Sequence, residues 1–532
     1  MPVKLWLAVL SMLAALLALT PAAHAARGFS LGVQAGEVTS TSAILWGKAK
    51  KSGGYSLDVA RNPRFRGLVP HFVVARKSRD NTVQLRVRRL HPGTRHWFRF
   101  VGNNGRRSDV GTFVTAPKPS KNTSVEFAWT GDTDFNAAPG KRKPYWNDGG
   151  IYGRMAAEHN DFNVNLGDTI YSDSEIPGRL LPLALTVHAK WAKYRTNLVN
   201  RKLRALRRSA PLYSHWDDHE FIDDFSPAEN TFEPYLNADV LHINGRLLYR
   251  RGAKAFRDYS PVTYSKRNGI YRTIRWGRNL QLFFLDERSF RSANADAGGV
   301  CDNPQTGEPD LAPTAPQSNR DVFAALYQPF AQPVPKACLD AIRDPSRTYL
   351  GRRQLARFLR KVKRSTTRFK VVMNELPIQQ NYFNVYDRWE GFEADRQRVL
   401  NGLQGVKNVI FLSTDVHATL VNDARFQTLE PGGPKDSGIL DVTVGSAATR
   451  NFENEVDVAT GRPGTGALVD PAFLTPPPPN GLGMRCSVTD KFSYGHVKVT
   501  GNRLTVTPKG IDGNQLTDNG APCGPFVLNY RP

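Results

Sequence analysis

Apolar runs that stop abruptly at acids, imidazoles or amides constrain this chain more than any other feature. Five segments show it: Thr130-Gly131-Asp132-Thr133-Asp134, Leu166-Gly167-Asp168-Thr169-Ile170-Tyr171, His215-Trp216-Asp217-Asp218-His219-Glu220, Met373-Asn374-Glu375-Leu376-Pro377 and Leu412-Ser413-Thr414-Asp415-Val416-His417. Three of them follow the plan plainly: a β-branched run, then carboxylates or His at once. That is how the C-terminal edge of a sheet reads when its loops carry a polar site. Several such edges can converge on one cleft, where Asp, His, Asn and Tyr suffice to hold one or two hard cations.

Around these segments, buried-type strands (Val125 to Thr130, Phe162 to Leu166, Leu280 to Leu285, Phe369 to Met373, Val409 to Leu412) alternate with helical patterns. The helical stretches are Gly153 to His159, Val187 to Leu206, Gly351 to Lys363 and Glu393 to Leu403. Such alternation predicts an α/β region over 118–532 with a largely buried sheet. Residues 26–117 read differently. Ala43 to Trp46, Tyr55 to Val59, Val83 to Val87 and His96 to Val101 are β-rich and separated by turn residues, which predicts a small Ig-like or fibronectin-like sandwich. Thr115 to Ser124 reads as the linker. A Pro/Ala-rich segment near 294–345 reads as an inserted loop, and the last part of the chain returns to β.

Length and composition bound the class. At 532 residues the chain is long enough for two or more domains. Residues 1–25 read as a signal peptide: Lys4, an apolar core from Leu5 to Leu19, and Ala23-His24-Ala25 as a small-x-small cleavage site. With no twin arginine before it, the general secretory pathway and a periplasmic or extracellular location are expected. Four cysteines (Cys301, Cys338, Cys486 and Cys523) favour two disulfides in an exported chain. Their connectivity is open, with pairing of neighbours the working expectation. None lies in a C-x-x-C spacing, which argues against a zinc-thiolate site. The net charge of +24 is concentrated at residues 190–208 and 352–370. Either stretch is a solvated helix face, or a surface for anionic lipid, nucleic acid or an envelope polymer. No signature of a dedicated nucleic-acid module is present.

Each motif carries its own chemistry. Asp132 and Asp134 could reach one cation, or form a simple turn. Gly167 lets the backbone turn so that Asp168 points over the sheet edge, where a carboxylate can bridge two metals. Tyr171 is either a phenolate ligand or a buried aromatic. Within Trp216-Asp217-Asp218-His219-Glu220, Asp218 can bind metal while His219 protonates a leaving oxygen, unless His219 is structural. Asp415 and His417 alternate along an extended segment and can face one site. Asn374 is either a hard ligand or a turn cap.

Taken together and in this order, the motifs resemble the calcineurin-like metallophosphoesterases, in the modified form of the PhoD-type alkaline phosphatases, phosphodiesterases and phospholipase D-like enzymes. Gly167-Asp168-Thr169-Ile170-Tyr171 is similar to that family's Gly-Asp-x-Ile-Tyr, the Trp216 to Glu220 run to its Trp-Asp-Asp-His-Glu, and Ser413 to His417 to its Gly-Asp-Val-His. Phe29 to Gly36, Leu285 to Arg291, Leu350 to Leu355 and Asp387 to Phe392 also resemble it, so the likeness spans nearly the whole mature chain. Asp132 stands where the family often has an iron-ligating Cys, and Ser413-Thr414 replaces a Gly-containing pair.

The resemblance implies a four-layer αββα catalytic sandwich behind the β domain, and a centre of two divalent or mixed-valence ions. Asp132, Asp134, Asp168 and His417, with Tyr171, would hold one; Asp168, Asp218, Asn374 and Asp415 would hold the other. Asp132 shifts the expectation from Fe(III) toward Mn, Mg or Ca. A metal-activated water would attack phosphorus, His219 would protonate the leaving alkoxide, and Arg388 would clamp the phosphate. Catalysis would then rest on His219, Asp218 and Asp168, in a secreted phosphoric monoester or diester hydrolase acting on organic phosphate esters. A phospholipase D-like or nucleic-acid phosphodiesterase, and a non-catalytic envelope-binding relative, are the rivals. Oligomeric state is left open.

Overall fold

In the first hundred residues, apolar residues on the inward faces of short strands drive two antiparallel sheets together. The computed structural model describes residues 28–178, 182–231, 243–430 and 433–532; the secretory-signal reading of residues 1–25 lies outside them. Strands Phe29–Gly36, Ser42–Ala49 and Thr82–Arg88 form one sheet, and Val69–Ala75, Gly53–Ala60, Arg95–Gly102 and Gly111–Val114 the other. Val33, Leu45, Leu57, Phe98, Phe100 and Phe113 fill the space between them. This is the expected β-sandwich.

Two larger sheets follow. The six-stranded sheet runs in the order Leu212–His215, Phe162–Leu166, Val125–Thr130, Ser493–Val499, Arg503–Gly510, Phe526–Asn529, and its first three strands are parallel. The seven-stranded sheet runs Arg272–Trp276, Leu280–Phe284, Phe369–Met373, Val409–Ser413, Asp436–Thr443, Thr419–Arg425, Cys486–Val488, with four parallel strands at its centre. Strand alternation sorts the side chains between layers. Phe127, Trp129, Val164, Leu282, Phe284, Val371 and Leu412 share the core between the sheets. Ala128 packs outward under helices Gly150–Ala157, Val187–Leu198, Arg201–Ser209 and Gly245–Tyr259. On the far side, Phe283, Val372 and Phe411 meet helices Arg352–Lys363 and Glu393–Leu403. The result is the expected αββα sandwich.

Local chemistry accounts for the departures. The helix expected over Val187 to Leu206 is broken into two, because the Asn200 side chain accepts from Lys202 N at 2.9 Å and Leu203 N at 3.1 Å and caps a new helix. The segment expected as an inserted loop contains helices Gln317–Ala324 and Lys336–Arg343. Disulfides join Cys301 to Cys338 and Cys486 to Cys523. Much of the first basic stretch is structural rather than solvated. Arg207 is 2% exposed and reaches Gln34 and Leu31 of the sandwich, and Lys190 is fully buried against Ser172 and Phe221. Helix Arg352–Lys363 does turn its basic residues outward, over buried Leu355, Phe358 and Val362. No helix among the described residues is long and apolar enough to cross a membrane.

Candidate metal centre

All five polar segments begin at the C-terminal ends of parallel strands, three from one sheet and two from the other. Hydrogen bonds across the gap lock the two edges together. Trp129 Nε1 donates to Ser413 O at 3.1 Å, and Thr414 Oγ1 to Leu166 O at 2.5 Å. The backbone at this seam is strained: Asp132, Asp168, Asp415 and His417 all take positive φ, at 58°, 46°, 70° and 57°. Left-handed non-glycine residues cost roughly 1–3 kcal/mol each and gather where a site needs them. Gly167 has φ +94°, and a Cβ there would lie 2.7 Å from Asp217 Cβ, so only glycine brings the two loops this close.

The carboxylates meet in overlapping groups. Ligand atoms of Asp168, Asp218 and His219 lie within 4.8 Å of one another, as do those of Asp217, Asp218 and Asp415, of Asp218, Asp223 and Asp224, and of Glu175, His417 and Glu455. Asp132 is fully buried and neither of its oxygens has a hydrogen-bond partner. Burial pushes its carboxyl up to about 8, against the pull of His417. Burial likewise raises Asp168 well above the carboxylate range and Asp415 to about 7. Tyr171 joins the same spot. Its Oη is 3.0 Å from His417 Nε2, and burial, then Asp168 and Asp132, hold it as the neutral phenol. Buried carboxylates with orphaned oxygens, beside an imidazole and a phenol, form a donor set suited to hard cations.

His219 is held from two sides. Its Nδ1 is 2.7 Å from Asp173 Oδ1, and its ring stacks on Tyr171 with centroids 4.0 Å apart. Burial alone would lower its pKa, but Asp173, Asp218 and Asp168 outweigh it and raise the imidazole well above its usual range. Arg388, 8% exposed, places Nε 4.0 Å from Asp415 Oδ2 at the rim.

Two sequence candidates stand apart. Asp134 accepts from Asn136 N at 2.9 Å and from Ser174 Oγ, so its carboxylate already has partners. Asn374 donates to Leu376 O, and its amide oxygen accepts from Trp389 Nε1 at 3.2 Å. Conversely, Asp173, Asp217, Arg288, Asp387, Glu175 and Glu455 were not among the candidates. Arg288 is fully buried and makes a bidentate pair with Asp387 at 2.5 and 2.6 Å, while its Nε meets Asp217 at 2.5 Å. Asp217, Arg288 and Asp387 lie inside motifs already visible in the sequence. Glu455, against His417 Nδ1, sits on a helix that no pattern marked.

Two face-to-face sheets bring acid- and imidazole-bearing edges together into a site that could hold metal ions. The family description "PhoD-like phosphatase" matches residues 141–472, and its N-terminal domain matches residues 15–117. The chain belongs to the PhoD-like phosphatase family and is a phosphoric ester hydrolase. The solved structure of PhoD is similar over 93% of this chain and 94% of its own length, at 18% identity and a TM-score of 0.66. The purple acid phosphatase PPD1 from yellow lupin (Lupinus luteus) seeds is similar over 91% of this chain and 73% of its own, at 10% identity and a TM-score of 0.52. No curated protein matches the sequence.

Proposed function

We propose that this hydrolase is exported and cleaves organic phosphate esters at a two-ion centre, with His219 as general acid. The observation that carries the reading is the Asp173–His219 pair, 2.7 Å apart, set against Asp168 and Asp218. Asp132, Asp168, Tyr171 and His417 would hold one ion, and Asp168, Asp218 and Asp415 the other, with Mn, Mg, Ca or Fe(III) as candidates. Asp134 and Asn374 would join only if their side chains released their present partners. When bound, the ions supply charge neutralisation at the phosphoryl oxygens and a water acidic enough to ionise near neutral pH.

The chain's own residues do the rest. Asp173 fixes the imidazole through Nδ1, and stacking on Tyr171 fixes its plane. Nε2, 3.6 Å from Asp223 Oδ1, would deliver a proton to the departing alkoxide. Arg388, whose Nε lies 4.0 Å from Asp415 Oδ2 and which lines a cavity, would receive a phosphate oxygen. The two disulfides fit an oxidising compartment.

The test is hydrolysis of bis(p-nitrophenyl) phosphate beside p-nitrophenyl phosphate, with Mn, Ca and Fe supplied separately and a chelator control. Chelator-sensitive release from either ester is expected. Turnover that survives complete metal removal would overturn the two-ion reading.

A further inference from the structure

The basic stretch over 352–370 is organised by helical spacing. Arg357, Arg360, Lys361 and Arg364 stand at positions i, i+3, i+4 and i+7, which puts them on one side of helix Arg352–Lys363 and its end. With Arg275 from strand Arg272–Trp276 they surround a hollow of about 330 Å³. A second hollow of about 510 Å³ adjoins it through the shared Ser365 and Thr366, and is lined by Lys363, Lys370, Lys407 and Arg531. No Asp or Glu lines either one. Both sit at the N-terminal edge of strand Phe369–Met373, the opposite end of the sheet from the metal centre.

Neutral partners hold these cations in place. Arg275 donates to Gly277 O at 2.9 Å, Pro119 O at 3.1 Å and Thr366 Oγ1 at 3.2 Å. Arg357 reaches Asn268 Oδ1 at 2.7 Å, and Lys361 reaches Thr273 Oγ1 at 3.2 Å. Lys370 is 7% exposed and donates to the carbonyls of Thr367 at 3.3 Å and Lys407 at 3.2 Å. Among the described residues, none of these four, nor Arg360 or Arg364, has an Asp or Glu oxygen within 4.0 Å. Like charges on one helix face repel, and burial together with Arg357 pushes the Lys361 amine down. The negative end of the helix dipole offsets part of this for Arg360, Lys361 and Arg364, but Arg275 and Lys370 stand on strands outside that last turn. Cations gathered, oriented and left without a carboxylate suit a ligand that brings several negative charges.

We propose that the two hollows together form a binding site, separate from the metal centre, for a compact anion of linked phosphoryl groups, with the chemistry of a tripolyphosphate. The inference goes beyond the phosphoesterase reading and does not depend on it. Guanidinium forks pair with phosphoryl oxygens two at a time, and the hydroxyls of Ser365 and Thr366 stand where the hollows join. A single phosphoryl group leaves most of the charge unmatched, whereas a linked row spans the junction. A nucleic-acid strand matches the charge but not the lining. Bases need aromatic faces to stack on, and Tyr530, the one aromatic residue lining either hollow, already carries the Arg368 guanidinium at 5.2 Å.

Calorimetric titration of tripolyphosphate into the full metal-loaded chain tests it, beside orthophosphate and citrate, and beside Arg360→Gln combined with Arg364→Gln. Both arginines are exposed, so the fold should stand, with the thermal midpoint as the check. Chelation of metal ions and any binding at the metal centre are common to both proteins and subtract out. The unaltered chain should take tripolyphosphate about tenfold more tightly than orthophosphate or citrate, and the Gln variant should lose about tenfold, with cleavage of bis(p-nitrophenyl) phosphate unchanged. Arg360→Lys with Arg364→Lys keeps the charge, loses the forks and should fall between the two; it carries the test if the Gln variant does not fold. Equal binding by the unaltered chain and the Gln variant, or citrate held as tightly as tripolyphosphate, would overturn the site. Tighter binding of an oligothymidylate or of phosphatidylglycerol vesicles, compared at equal phosphate, would overturn the ligand and give the face to that partner.

Discussion

Replacing Arg288 with Met should destabilise the protein far more than its distance from solvent suggests. The guanidinium is fully buried and serves three carboxylates: Asp387 through two bonds, Asp217 through Nε at 2.5 Å, and Asp218 at 3.8 Å. These do not lose equally. Asp387 keeps Arg291 at 2.7 Å, and Asp218 keeps two backbone N–H donors, from His219 and Asp224. Asp217 keeps no cation, and its other oxygen already lacks a partner. Removing one member of a buried ion pair costs about 3–5 kcal/mol when the remaining charge is left uncompensated. Arg288→Met should therefore lose about that much in metal-free chemical denaturation, nearly all of it at Asp217. Adding Asp217→Asn to the same variant should recover most of the loss, because the stranded charge is gone. Bound metal should also narrow the gap, since a cation near Asp218 replaces part of the missing field. A single-variant loss below about 1 kcal/mol, or a double variant no more stable than the single one, would refute the reasoning.

His219→Gln should lower turnover of an alkyl ester by about 10²–10⁴-fold while metal content, read by elemental analysis, stays constant; p-nitrophenyl esters, whose leaving group needs no proton, should lose far less. Equal losses on both substrates would remove the acid role. Lys190 is fully buried, and burial pushes its amine down to about 7 from 10.5. Between those values the unfolded chain holds the extra proton, so Lys190 makes stability rise with pH by up to roughly 5 kcal/mol. Subtracting the stability profile of Lys190→Met should expose that slope, and parallel profiles for the two proteins would contradict it. Replacing Cys301 and Cys338 with Ser opens a loop of 37 residues' separation and should cost about 4 kcal/mol by loop entropy. An unchanged denaturation midpoint would show that the insertion is held without it.

The strand ends were legible because an apolar run that stops at an acid is a local pattern, complete within about ten residues. Thus Asp132, Asp168, Asp218, His219, Asp415 and His417 could be named as neighbours although up to 285 positions separate them. Each was tied to a sheet edge, and parallel strands present their C-terminal ends together. Asp134 and Asn374 obey the same pattern. Yet Ser174 in one case and Trp389 in the other, 40 and 15 residues away, engage their side chains. No periodicity reports such a partner.

What the sequence determined by itself was the α/β character of the larger region, the β domain before it and the residue types at the centre, because alternation and strand termination are short-range consequences of burial; the four-layer arrangement was implied only by the family resemblance. What only the tertiary structure decided was how those groups are oriented and charged. Asp173 was found to steer His219, Arg288 to bind Asp217 and Asp387, and Glu455 to reach His417 from a helix the sequence did not announce. The physical reason is that a carboxylate's pKa, partner and reach depend on the local dielectric and on charges within a few ångströms, and those are set by packing between segments far apart in the chain.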